Sequence, residues 1–448
     1  MGDKTARVTQ AHGSAPLTGT VALPGDKSIS HRALILGALA SGRTHITGLL
    51  RSQDVMATAQ TLRDMGAQIE LDGEDWLVTG CGTGGLRQPE NDLDFGNSGT
   101  AVRLMMGVIA GHDLSARLIG DRSLSSRPMG RVLTPLQLMG LQVVGENTNV
   151  LPLELRGRSD LVPIRYELPV ASAQVKSAIM LAGLHAPGQT IIIEPKPTRD
   201  HSERMMRHFG ADIAVEALDG GGREITVNGH AELAGCEVIV PGDPSSATFL
   251  VAGALIVPGS ELLIENVLIN PTRTGFYKTF IEMGADLVFE NTRNAAGEPV
   301  ADIRVKYGPL TGVVVPPERA PSMIDEYPIL AALAAFASGE MRMEGLEELR
   351  VKESDRLTAT KHGLDQAGVV SHIEGNRLIV QGCGGGERVP GGGLVSTHMD
   401  HRIAMSFLIL GLGSKQPMSV DDVSIIDTSF PGFLDLMNGL GAKMGEPK

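Results

Sequence analysis

The residues of this chain that can hold or move charge are concentrated beside apolar runs. PGDKSISHRALIL (24–36) opens such a run with Lys27, Ser28 and Arg32. The serine can cap a helix there while the two cations project from its first turns. A helix start presents unpaired N–H groups and the positive end of the helix dipole, which suit phosphate and carboxylate. DFGNSGTAVR (94–103) is a small-residue turn where backbone at Gly99 can approach a ligand, and SSRPMGRV (125–132) adds Arg127 on a proline-constrained loop. A guanidinium matches either anion bidentately. ASAQVKSA (171–178) brings the neutral groups Ser172 and Gln174, with Lys176 able to add charge, and PTRDHSERM (197–205) adds Arg199.

Carboxylates enter in the second half. SMIDEYPIL (322–330) puts Asp325 and Glu326 just ahead of an apolar run, where charge is costly unless paired or functional. ELRVKESDRL (348–357) packs Lys352, Glu353, Asp355 and Arg356 together, and THMDHRIAM (397–405) opens the last run with Arg402. PGDPSSATF (241–249) carries no comparable cation. Each stretch by itself also reads as a solvated turn or a surface ion pair. Their recurrence beside apolar runs favours chemistry: two anion pockets in a cleft with carboxylates between them, as joining two anionic molecules would need.

Several function classes are disfavoured. GTVALPGDKS has the spacing G-x5-G-x-K-S rather than G-x4-G-K-[ST], which argues against a P-loop kinase. A net charge of −13 argues against nucleic acid as a partner. Cys81, Cys236 and Cys383 are scattered and odd in number, so no disulfide framework is expected. His398 and His401 lie near a carboxylate but lack the further ligands of a metal site. No apolar run is long enough to span a bilayer, and the first sixteen residues lack the apolar core of a signal peptide and a good myristoylation pattern. A cytoplasmic protein is expected.

The elements that position these residues repeat. A surface helix ending in apolar-Gly-small, then a strand, recurs at Gly66, Gly140, Gly210, Gly284, Gly368 and Gly441, with spacings of 74, 70, 74, 84 and 73 residues. Each glycine stands where a helix needs a left-handed cap. Each period also holds a run apolar on every face: 33–40, 101–111, 177–184, 247–257, 328–337 and 403–412. Such helices are buried. With the short β-branched runs between them, the chain reads as α/β with two domains, each of three βαβαββ units, inner helices and outer sheets. LPGDKS (23–28) and VPGDPS (240–245) are one phrase 217 residues apart and mark two crossings between domains. The expected domains are 24–240, holding units one to three, and 1–23 plus 241–448, holding units four to six. Closure about such a paired crossing would exclude water.

PGDKSISHRA, GNSGTAVR, RPMGRV, SAQVKSA, RAPSMIDEYPIL, LRVKESDR and DHRIAM, in order from about residue 19 to residue 434, resemble the 5-enolpyruvylshikimate-3-phosphate (EPSP) synthases, in wording the second bacterial class. The resemblance implies the enolpyruvyl transferase fold. It implies transfer of the enolpyruvyl group of phosphoenolpyruvate to the 5-hydroxyl of shikimate 3-phosphate through a tetrahedral adduct, in aromatic amino-acid biosynthesis. It implies no metal or organic cofactor, two small-molecule substrates and a monomer. Motif by motif, Lys27, Ser28, Arg32, Ser172, Ala173, Gln174, Arg199, Asp325 and Lys352 would hold shikimate 3-phosphate. Lys27, Gly99, Arg127, Gln174, Arg356 and Arg402 would hold phosphoenolpyruvate, with Asp325 as base, Glu353 as acid and Lys27 between the substrates. Gly99 lacks the Cβ that would crowd glyphosate lying along phosphoenolpyruvate. Two departures stand out: Thr428-Ser429-Phe430-Pro431 replaces the Lys-Thr-Phe-Pro of many members, and Ala173 stands where some have serine. The alternatives are a UDP-amino-sugar enolpyruvyl transferase, which uses a loop cysteine not matched here, and a non-catalytic phosphosugar-binding protein, which would leave Asp325 and Glu353 unexplained.

Overall fold

The structure, a computed structural model, describes residues 7–145, 148–384 and 389–447. The first six residues, part of the N-terminal stretch read above for targeting signals, lie outside the described residues. Among the described residues no helix is long and apolar enough to cross a membrane. The chain forms two compact units: Gly25–Pro241 with Asn294–Glu298, and Met1–Pro24 with Gly242–Arg293 and Pro299–Lys448.

The Gly25–Pro241 unit is built from three four-stranded sheets of one pattern. An edge strand runs parallel to its neighbour, and a hairpin continues the sheet antiparallel, as in Arg165–Glu167, Gln189–Glu194, Arg223–Asn228 and Ile213–Ala217. The edge strand of the first sheet, Glu237–Ile239, is the last of the unit and pairs with Arg43–Thr47. That pairing closes the set of three. The split unit does the same with its N-terminal piece. Thr18–Ala22 lies parallel to Glu261–Leu268, and Thr9–His12 is inserted between Met418–Val420 and Lys443–Gly445.

Beneath the sheets lie the six apolar helices. Lys27–Leu39, Gly99–Ala110 and Ala173–Gly183 form the core of one unit, and Pro244–Ile256, Tyr327–Ala334 and His401–Gly413 that of the other. Every residue of Pro244–Ile256 is buried, as expected of a helix with no polar face. The six tagged glycines all have positive φ, from +71° to +119°, so a Cβ at any of them would be strained. The two PGD phrases have a further role: Asp26 and Asp243 are helix N-caps, accepting from Ile29 N and Ser245 N at 2.8 Å each. Both buried helices therefore begin where the chain passes from one unit to the other.

Candidate active site

In the Gly25–Pro241 unit the predicted residues gather at the starts of the three buried helices. Lys27 is the first residue of Lys27–Leu39, and its ammonium pairs with the buried carboxylate of Asp54, in the first turn of the helix Gln53–Asp64. Arg32 is buried further along the same helix. It donates from Nη1 to the Ser28 carbonyl at 3.0 Å, from Nε to Ser202 Oγ at 2.8 Å and from Nη2 to Ser177 Oγ at 2.8 Å. Burial pulls its pKa down to about 10, with Glu203 and Asp26 opposing and the like charge of Arg199 assisting. It stays charged at neutral pH.

Ser172 caps the helix Ala173–Gly183, accepting from Val175 N at 3.4 Å. Gln174 follows Ala173 in its first turn. Its amide is fixed at both ends: Oε1 accepts from Arg103 Nη1 at 3.0 Å and Nε2 donates to Thr100 Oγ1 at 3.1 Å. Arg127 is steadied by Asn97 Oδ1 at 2.9 Å and Ser123 Oγ at 3.1 Å. Gly99 lies against both guanidinium groups. A Cβ there would sit 2.8 Å from Arg103 Nη1 and 3.0 Å from Arg127 Nη1.

Lys176, read above as able to add charge to this set, does not. It is fully buried between Glu194 at 3.0 Å and Glu203 at 2.7 Å. Helix periodicity explains the difference, because Lys176 lies two positions past Gln174 and so points to another side of the helix. Arg103, Asp54, Asn97, Ser177 and Ser202 escaped the sequence reading. Only Arg103 had a usable signal, standing four residues after Gly99 and so one helical turn from it.

In the split unit the second set converges on Arg356, the first residue of the helix Arg356–Gln366 and only 1% exposed. Its Nε reaches Asp400 Oδ2 at 2.8 Å and Nη2 reaches Asp400 Oδ1 at 3.3 Å. Nη1 meets Asp325 Oδ1 at 3.1 Å, and Nη2 meets Glu353 Oε2 at 2.5 Å. Burial alone would lower its pKa, but Asp400, Glu353 and Asp325 outweigh burial and raise it. Lys352 Nζ lies 3.6 Å from Asp325 Oδ1. Asp400, fully buried, also caps the helix His401–Gly413 by accepting from Arg402 N at 3.0 Å. In the sequence it reads as a companion to two histidines; in the fold it is the anchor of Arg356.

Arg402 Nη1 lies 3.7 Å from Glu326 Oε1, and Glu326 in turn accepts from the Ser245 hydroxyl. Ser245 Oγ accepts from Arg273 Nη2 at 3.0 Å. PGDPSSATF therefore does have a cation beside it. Arg273 comes from further along the chain, in the turn Pro271–Arg273, and is buried against the helix start, where local reading could not find it. Thr428, where the resemblance implies a lysine, donates its hydroxyl to the Ile425 carbonyl at 2.7 Å. Among the described residues, Asp200, His201 and Glu298 form a group with metal-ligand side chains. Its members have partners in the fold: Arg204 Nε lies 3.0 Å from Asp200 Oδ2, and His201 Nδ1 and Glu298 Oε1 are within hydrogen-bond distance at 2.8 Å.

Cations at helix starts, a fixed amide, and two carboxylates sharing one buried guanidinium are the equipment for binding anions and moving protons. Known proteins carry the same sequence pattern. The family model of EPSP synthase (3-phosphoshikimate 1-carboxyvinyltransferase) matches residues 11–437. A protein of Afipia carboxidovorans named 3-phosphoshikimate 1-carboxyvinyltransferase is 57% identical over 434 residues, covering 97% of each chain. One of the same name from Paramagnetospirillum magneticum is 56% identical over 441 residues, covering 98% of each. Among solved structures, an EPSP synthase from Acinetobacter baumannii aligns with a TM-score of 0.88 at 42% identity, over 99% of this chain and all of that one.

Proposed function

The chain belongs to the EPSP synthase family and transfers the enolpyruvyl group of phosphoenolpyruvate to shikimate 3-phosphate, and we propose that the two residue sets described above carry that reaction. In this reading Lys27, Ser28, Arg32, Ser172, Ala173, Gln174 and Arg199, with Asp325 and Lys352, hold shikimate 3-phosphate. Lys27, Gly99, Arg127, Gln174, Arg356 and Arg402 hold phosphoenolpyruvate.

The observation that carries the proton chemistry is the sharing of Arg356 between Asp325 and Glu353. Asp325 takes the proton of the attacking 5-hydroxyl as the new C–O bond forms at C2 of phosphoenolpyruvate. Glu353 supplies the proton that converts the methylene carbon to methyl. An arriving anion that takes part of Arg356 weakens its hold on Glu353 and adds negative charge nearby. Both effects raise the proton affinity of Glu353, which suits an acid. Elimination then reverses the second transfer: the methyl carbon returns its proton to Glu353 as phosphate leaves and the double bond re-forms. The cations stabilise charge on the adduct.

The same reading takes the two compact units as two domains and the protein as a cytoplasmic monomer acting on two small molecules. The test is phosphate release by the purified protein. It is expected only when phosphoenolpyruvate and shikimate 3-phosphate are both present. Release with a UDP-amino sugar in place of shikimate 3-phosphate would overturn the reading.

A further inference from the structure

Arg32 and Arg356 are both buried, yet they are held by opposite means. Three carboxylates surround Arg356. The hydrogen-bond partners of Arg32 are neutral: the Ser28 carbonyl and the hydroxyls of Ser177 and Ser202. These two serines are themselves buried and lie 2.6 Å apart, oxygen to oxygen.

The proton directions in this cluster are forced. A serine has one O–H to donate and can accept two bonds. Ser177 donates to the Ala173 carbonyl at 2.7 Å, so its proton is committed. Ser202 must then donate to Ser177, which also accepts from Arg32 Nη2, while Ser202 accepts from Arg32 Nε. Both hydroxyl protons are thereby placed, and the chain ends at the first residue of the helix whose start carries Ser172 and Gln174. The hydroxyl pair takes the Nε and Nη2 edge of the guanidinium much as two carboxylate oxygens would. Three of the five guanidinium hydrogens are used, leaving one on each terminal nitrogen.

We propose that Ser177 and Ser202 are positioning residues: a neutral clip that fixes the plane of Arg32, ties it to the start of Ala173–Gly183, and commits none of its hydrogen bonds to a carboxylate, leaving two N–H groups for an anionic group of shikimate 3-phosphate. A carboxylate in their place would hold the guanidinium equally well, but would neutralise it and compete with the substrate. The inference rests on the assignment of Arg32 to shikimate 3-phosphate made above.

The experiment compares Ser177→Ala, Ser202→Ala, their combination, Ser202→Thr and Arg32→Ala, measuring kcat, both KM values and thermal unfolding. Removing each hydroxyl is expected to raise KM for shikimate 3-phosphate roughly tenfold, with KM for phosphoenolpyruvate within about twofold of wild type. Ser202→Thr restores it by returning the hydroxyl. In the Arg32→Ala background, the serine substitutions add nothing further, because the group they orient is gone. If Arg32→Ala raises KM for shikimate 3-phosphate but the paired serine variant does not, the clip is refuted. If Arg32→Ala leaves that KM unchanged, the assignment of Arg32 itself fails. If the serine variants raise both KM values alike with a lowered melting temperature, the role is structural and the proposal is overturned.

Discussion

Replacing Asp400 by asparagine isolates one charge in the Arg356 cluster. Asparagine caps a helix as well as aspartate does, so the start of His401–Gly413 keeps its acceptor for Arg402 N. What disappears is the negative charge facing the Nε and Nη2 edge of a guanidinium that is 1% exposed. Breaking a buried ion pair by removing one partner costs about 3–5 kcal/mol. Asp325 and Glu353 remain within 3.1 Å and 2.5 Å of Arg356, so the lower end applies, about 3 kcal/mol. In a unit of this size that lowers the melting temperature by roughly 6–12 °C. Without the bidentate hold, Arg356 is free to turn toward its other two partners. A shift of about 1 Å in a group that aligns reactants can cost ~10²-fold in rate. Phosphate release measured against phosphoenolpyruvate concentration should therefore show kcat/KM down by roughly that factor. Melting close to wild type together with near-normal kcat/KM would refute the reasoning. Lowered melting with intact kinetics would reduce Asp400 to a structural residue.

Three further outcomes follow from the geometry. Gly99→Ala pushes a Cβ against the movable ends of Arg103 and Arg127, 2.8 Å and 3.0 Å away, so folding is spared while KM for phosphoenolpyruvate rises about tenfold and inhibition by glyphosate weakens; steady-state kinetics with melting as control decides it. Lys176→Met leaves Glu194 and Glu203 buried without their cation, and a loss of about 3–5 kcal/mol is expected in urea unfolding; an unchanged midpoint would contradict the ion-pair account. Burial, then the charges of His112 and His230, push His185 down to about 3, so the unfolded chain binds its proton first as pH drops below 6.5 and stability is lost in that direction. Between pH 7.5 and pH 5 the share of His185 is about 2 kcal/mol, which His185→Leu should lack; equal pH dependence in both proteins would remove it.

The architecture was legible in the amino-acid order because its causes are local. A helix apolar on all faces has no choice but the interior, and a left-handed cap at Gly140 or Gly441 depends on a few neighbouring residues. The same holds for the cations at helix starts: Lys27 and Arg356 each open a helix behind an aspartate cap, a pattern written within four residues. Resemblance to a family then attached roles to those positions.

What holds each of these groups was decided elsewhere in the chain. Ser202 reaches Arg32 across 170 residues and Ser177 across 145. Asp400 reaches Arg356 across 44, and Glu326 reaches Ser245 across 81. Lys176 sits beside Ser172 and Gln174 in sequence yet ends in the core, because the helix turns it toward Glu194 and Glu203. The sequence alone determined the repeat, the buried helices and which ends of them carry charge, since helical period, capping and turn geometry act over a few residues. Only tertiary packing decided whether a buried cation would face neutral hydroxyls or carboxylates, because burial makes an unpaired charge intolerable and the partner can come from any part of the chain that packing brings near.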